Sequence, residues 1–214
     1  MIVALVPLNG RKEITSITIP RLIKQVDKVI LAVDDKSEGY KGADCYDWME
    51  CGAFGAKMQF LIERAREYSP DIVLISSSGG VFRNDYFDCK SDLTGPGCLY
   101  YLDFQPTGKR MIYWPGYPGG RVNEPVGLGR MFTGEFLEKC KWQIYDVKST
   151  KGLDSTSMHL ILRHEPVITI KKDNVPMRIS SYKYVQLDSF DRMAKASKNV
   201  DKIDEVLKWY GLVL

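Results

Sequence analysis

Histidine is nearly missing from this chain: His159 and His164 are the only two in 214 residues. That scarcity excludes a His-rich metal site. Cysteine is sparse as well. The five thiols (Cys45, Cys51, Cys89, Cys98 and Cys140) are odd in number and never spaced as C-x-x-C. This argues against a cysteine zinc site and for reduced thiols in a cytosolic setting. No apolar run approaches the roughly 18 residues of a membrane span. Met1 to Pro7 is a short apolar start with no basic region before it, so no signal peptide is expected. The expected location is therefore cytoplasmic. Basic blocks are absent too: the formal net charge is +3, and Lys195 to Lys202 is broken by Asn, Val and Asp. No nucleic-acid partner is expected from such a balance.

What remains is an ordinary globular composition, 44% hydrophobic and 27% charged, in a chain large enough to bury a core without staples. No internal repeat or long linker divides it, so one domain over 1–214 is expected. The segment Asp71 to Phe82 organises the rest. Ile72 to Ile75 is a short apolar, mostly β-branched run, suited to a strand buried on both faces. Three serines and two glycines end it at once. Ligands of open α/β sheets collect beyond the carboxyl ends of central strands, and small residues there let a ligand approach the backbone. Ile2 to Val6 and Val29 to Val33 are two further runs of this kind. Between them Ile14, Ile17, Leu22 and Val26 recur at roughly helical spacing, with Pro20 marking a first turn or a kink. The resulting β-α-β unit places its strands as parallel neighbours.

Residues 38 to 50 show no period and read as a loop. A helix follows, with Phe54, Met58, Leu61 and Ala65 as its apolar stripe and Lys57 mainly on the other side. Beyond Phe82 the chain turns aromatic and rich in Gly and Pro. Leu99 to Phe104 and Arg110 to Trp114 read as a hairpin joined through Gln-Pro-Thr-Gly-Lys. Trp114 to Arg121 reads as a flexible flap. Short helices are expected over Phe132 to Cys140, with Thr133 as N-cap, and over Ser155 to Leu162, with Asp154 or Ser155 at its start. Val167 to Ile170 reads as a late strand, and Ile203, Val206 and Leu207 mark a last helix.

Taken in order, several segments resemble nucleotide-diphospho-sugar glycosyltransferases of the GT-A fold. They are Val6-Pro-Leu-Asn-Gly-Arg11, Val33-Asp-Asp-Lys-Ser37, Gly52-Ala-Phe-Gly-Ala-Lys57 and the small-residue end of the central strand. Trp114-Pro-Gly-Tyr117, Glu124-Pro-Val-Gly-Leu-Gly-Arg130 and Lys151-Gly-Leu-Asp-Ser155 resemble a virus- and phage-associated branch. That branch is typified by the amino-terminal transferase domains of chlorovirus proteins that glycosylate capsid glycoprotein, which would act in host cytoplasm. The resemblance implies a single GT-A-like, Rossmann-like α/β domain with a central, mostly parallel mixed sheet flanked by helices. Residues 1–82 would be its nucleotide-binding half and 83–214 its acceptor-side half. The implied activity is hexosyl or deoxyhexosyl transfer from a nucleotide-sugar donor, a UDP-sugar favoured, to a glycan or glycoprotein acceptor.

The resemblance also assigns residues. Pro7, Leu8, Asn9, Arg11, Asp34 and Asp35 would meet the base and ribose. Lys57, Ser78, Gly79 and Arg130 would meet the diphosphate or sugar, and Trp114 and Tyr117 the acceptor side. Asp154 would be the catalytic carboxylate, either deprotonating the acceptor hydroxyl or stabilising an oxocarbenium-like transition state. One departure stands out. Such enzymes hold Mn²⁺ or Mg²⁺ on an acidic pair at the end of the central strand, and hard cations need oxygen ligands. Here those positions read Ser77-Ser78-Gly79-Gly80. Acids introduced at Gly79 and Gly80 would be expected to strengthen any metal dependence of nucleotide binding. The alternative reading is a nucleotide-sugar-binding module with lost or weakened turnover. A nucleotidyltransferase ranks below both, since Asn9-Gly10-Arg11-Lys12 is only a thin version of its phosphate loop.

Overall fold

The alternation of Ile2–Pro7 (β1) feeds two cores at once. Val3 and Leu5 point into one and Ala4 and Val6 into the other, all four fully buried, as the two-residue period of a strand dictates. The computed structural model describes residues 1–8, 10–34, 39–48, 53–105, 108–180 and 194–213. After β1 come Lys12–Ile23 (α1), Lys28–Val33 (β2), Asp44–Asp47 (β3), Phe54–Arg66 (α2), Ile72–Ile75 (β4) and Gly80–Val81 (β5). Leu93–Pro96 (β6), Leu99–Gln105 (β7), Gly108–Trp114 (β8), Met131–Thr133 (β9), Gly134–Lys139 (α3) and Leu153–Leu162 (α4) follow. Ile168–Lys171 (β10), Met177–Ser180 (β11), Lys198–Asn199 (β12) and Ile203–Trp209 (α5) complete the described elements.

The main sheet runs β10-β6-β9-β4-β1-β2-β3, with β4 at its centre. All its contacts are parallel except those of β9, which inserts antiparallel between β4 and β6. This is the expected mixed, mostly parallel sheet. One face packs on α2, α3 and α4 through Met58, Leu61, Phe136 and Met158. The other packs on α1 and on a second sheet, ordered β12-β8-β7-β11-β5, whose far side is covered by Val206 and Leu207 of α5. Each fully buried Val, Leu or Ile in these layers contributes about 1.5–3 kcal/mol.

Several expectations change. The stretch read as a loop contains β3. It is an edge strand, half exposed in alternation, so it carries no apolar run to betray it. Pro20 lies inside α1 and not at its first turn. The helix expected from Phe132 starts two residues later, because Met131 and Phe132 belong to β9. Thr133 nonetheless caps that helix, accepting the Phe136 N–H at 3.2 Å. Asp154 is not a cap. Gly152, in the left-handed region at φ 68°, precedes α4, and Asp154 sits in its first turn. The hairpin of β7 and β8 forms as expected, but in the second sheet.

Candidate functional site

The carboxyl ends of β1 and β4 open onto a cleft of about 510 Å³, inside the range of about 300–1,000 Å³ for small-molecule sites. Pro7, the last residue of β1, lines it, as do Ser76 and Ser77 directly after β4. Helix α2 offers Phe54 and Met58 from its first turns; Phe54 is 44% exposed, an uncommon state for phenylalanine. The opposing wall comes from the later half of the chain, with Trp114, Tyr117, Arg121, Asp154 and Arg178. Both halves therefore build one site.

Asp154 is the one carboxylate among the described residues of this wall. The Tyr117 hydroxyl donates to its Oδ2. Tyr117 is itself wedged: its ring meets Trp114 edge-on at 5.2 Å, and the Arg121 guanidinium lies 3.8 Å from its centroid. Burial, and then the negative charge of Asp154, push the Tyr117 phenol far above its ordinary range, so it stays a protonated donor. The main chain on the other side of Asp154 is close. A Cβ at Gly127 would stand 1.9 Å from Asp154 Oδ1. The carboxylate is thus fixed by a donor on one oxygen and by a bare backbone beside the other.

Other residues singled out by resemblance have different work. Arg130 is 1% exposed. Its Nε and Nη2 donate to the Pro125 carbonyl at 3.1 and 2.9 Å, Nη1 to Ser157 Oγ at 2.8 Å and Nη2 also to the Asp154 carbonyl at 3.2 Å. It holds the Pro125 turn to α4 and so positions Asp154 from behind the wall. A phosphate-binding role for Arg130 is corrected accordingly. Lys57, placed opposite the apolar stripe, is 6% exposed, and its Nζ donates to the Leu8 carbonyl. Burial lowers its pKa, while the charge of Asp34 at the end of β2 acts to raise it. Leu8, Asp34 and Lys57 thus meet where β1 and β2 end. Arg11 starts α1 from the left-handed region, φ 37°. Asn9 and Asp35 lie outside the described residues.

Ser78 and Gly79 need a similar correction. The Ser78 carbonyl accepts from the Thr18 hydroxyl at 2.7 Å, and Ser78 is 7% exposed. Gly79 is pressed against β11: its carbonyl accepts the Ile179 N–H at 2.8 Å, and a Cβ there would stand 2.2 Å from the Ile179 oxygen. A Cβ at Gly80 would stand 2.7 Å from Ser76 Oγ. These glycines serve packing, and the side chains presented to the cleft are Ser76 and Ser77. The Ser77 hydroxyl is buried with no partner.

The acidic pair is therefore missing from the cleft-facing positions too. Ser76 and Ser77 provide neutral hydroxyls where a hard divalent cation takes charged oxygen ligands. Among the described residues no group of three or more His, Cys, Asp or Glu comes together. The donor set at the end of β4 does not fit Mn²⁺ or Mg²⁺.

No family model and no curated protein matches the chain. Solved structures do. Staphylococcus aureus TarS 1–349, in complex with UDP-GlcNAc, superposes with a TM-score of 0.60 at 12% identity, covering 86% of this chain and 59% of that one. A second structure of TarS 1–349 gives 0.56 at 11% identity, over 83% and 60%. The catalytic domain of Drosophila beta1,4galactosyltransferase 7, in complex with xylobiose, gives 0.50 at 12% identity, over 82% and 68%. The chain spans about three fifths of the TarS 1–349 structures it matches. No described helix is long and apolar enough to cross a membrane. The chain shares its fold with GT-A-type glycosyltransferases.

Proposed function

We propose that the chain is a glycosyltransferase that takes a nucleotide sugar, a UDP-sugar first, and passes the sugar to a hydroxyl of a glycan or glycoprotein. The observation that carries this is the cleft-wall carboxylate of Asp154, the one among the described residues there, locked by Tyr117 and facing the ends of β1 and β4. UDP-GlcNAc bound to TarS, a protein of the same fold, supports the choice of donor. In this reading Asp154 takes the proton of the acceptor hydroxyl as its oxygen bonds to the anomeric carbon. The bond from that carbon to the phosphate oxygen breaks, and the nucleoside diphosphate leaves with the electron pair. Tyr117 and Arg130 are positioning residues for the base. A binding module without turnover is the second reading, favoured by the acid-free end of β4.

Calorimetric titration with UDP and several UDP-sugars tests the donor. Binding in the range of about 1 μM–1 mM is expected, with donor consumed when glycan acceptors are supplied. Failure of every nucleotide sugar to bind would overturn the reading, and binding without consumption would establish the module instead. Gly127→Ala tests the geometry. The three atoms nearest its methyl all belong to the Asp154 carboxylate, a side chain that can swing aside, so the fold should hold. Displacing the base by about 1 Å lowers transfer by about 10²-fold. Wild-type turnover in that variant would mean that the carboxylate position is not limiting.

A further inference from the structure

Arg121 is a cation built into the cleft wall with one arm unused. It ends the 3-10 turn Gly119–Arg121, whose backbone is tied down by Val122 N–H to the Gly119 carbonyl at 3.2 Å and Glu124 N–H to the Arg121 carbonyl at 2.9 Å. Its Nε donates to Glu124 Oε2 at 2.8 Å, and its plane covers the Tyr117 ring at 3.8 Å. Nη2 is buried and has no hydrogen-bond partner. A buried guanidinium nitrogen left unpaired is costly and calls for an explanation, a bound ion or a catalytic role among them. A second guanidinium, that of Arg178 on β11, lines the same cleft. The described lining of the cleft thus holds two guanidiniums, with Glu124 paired to Arg121 beside it.

We infer that Arg121, with Arg178 on the same wall, is the counter-charge for the donor's diphosphate, doing the work that the serine-ended β4 cannot give to a divalent cation. This rests on the nucleotide-sugar reading above. A planar guanidinium presents paired N–H groups that match two phosphate oxygens, and its charge does not depend on pH in the working range. Glu124 and Tyr117 hold it in place before the ligand arrives, so little ordering is needed on binding. When the anomeric bond breaks, negative charge grows on the leaving diphosphate. A fixed cation aimed at it stabilises that charge without reorganisation. The same contacts put the leaving-group cation and the base in one chain, Arg121 over Tyr117 and Tyr117 onto Asp154.

The test is calorimetry of UDP and uridine in EDTA and again with Mn²⁺, on wild type, Arg121→Gln and Arg121→Lys, with melting curves confirming the fold. Wild type should bind UDP in EDTA, with affinity changing less than about twofold on adding Mn²⁺. Arg121→Gln should lose about 10- to 100-fold in UDP affinity, the worth of one charged hydrogen bond, and leave uridine binding unchanged. Arg121→Lys, which keeps the charge and loses the fork, should fall between. UDP affinity that persists in Arg121→Gln, or that needs Mn²⁺ in wild type, overturns the inference alone. Failure of wild type to bind both UDP and uridine overturns the donor reading and the inference with it.

Discussion

Asp154→Asn is expected to lower sugar transfer by about 10²–10⁴-fold, the contribution of a positioned general base, with UDP affinity kept within about twofold. The amide is nearly isosteric, and its oxygen can still accept the Tyr117 hydroxyl that now meets Oδ2. Arg130 grips the backbone carbonyl of residue 154, not its side chain, so the start of α4 keeps its place. The helix loses one negative charge from its first turn, worth about 0.3–1 kcal/mol. What disappears is the ability to take a proton. Turnover is measured by donor consumption with a saturating acceptor, and affinity by calorimetry. Unchanged turnover would remove Asp154 from the mechanism, and a collapse in UDP affinity would show that it serves binding instead.

Gly79→Asp destabilises the fold by about 3–5 kcal/mol, the scale of an uncompensated buried charge, and creates no metal site. The new Cβ would enter to 2.2 Å from the Ile179 carbonyl oxygen, a backbone atom that cannot step aside. The carboxylate would follow it between β5 and β11, away from the cleft. Such a loss is a large part of the roughly 5–15 kcal/mol that holds a domain. For a chain of this size the melting temperature would fall on the order of 10 °C. Ser77→Asp is the informative contrast, because residue 77 lines the cleft. Of the two, only Ser77→Asp should show Mn²⁺-sensitive UDP binding. Similar melting temperatures for Gly79→Asp and wild type would mean that the loop can lift off β11.

These cases show where residue patterns suffice and where they stop. Strands β1, β2 and β4 were legible because each is buried on both faces and must be a continuous apolar run. Thr133 was legible because a cap is a local interaction. Strand β3 was not, since an edge strand with half-exposed faces needs no apolar residue in any fixed place. Nor was β9, three residues long and held only by neighbours distant in sequence. In the site, Asp154 and Tyr117 could be nominated from resemblance, and the cleft does bring them together. In the serine–glycine run Ser78 and Gly79 were expected at the ligand, and the side chains that line the cleft are Ser76 and Ser77. Which side chain of Ser76 to Gly80 faces a ligand depends on how the loop lies against β11, about a hundred residues further on. Lys57 and Arg130 carry charges that suggest ligands, yet their partners are backbone carbonyls and, for Arg130, the Ser157 hydroxyl as well, which no sequence pattern advertises. Arg121 had only its place at the end of a Gly- and Pro-rich segment to recommend it.

The seam between Gly79 and Ile179 also bears on how the molecule acquires its site. The Rossmann-like β-α-β unit closes over short loops, whereas this contact joins positions a hundred residues apart, and such closures carry a larger entropic cost and form slowly. The cleft is therefore a product of complete folding rather than of the β-α-β unit alone. Substitutions at Met177 and Ile179 of β11, which do not line the cleft as Arg178 does, should register first as lost UDP binding. Recovery of UDP affinity during refolding would time the docking of β11 on the main body, making the ligand a reporter of the last assembly step.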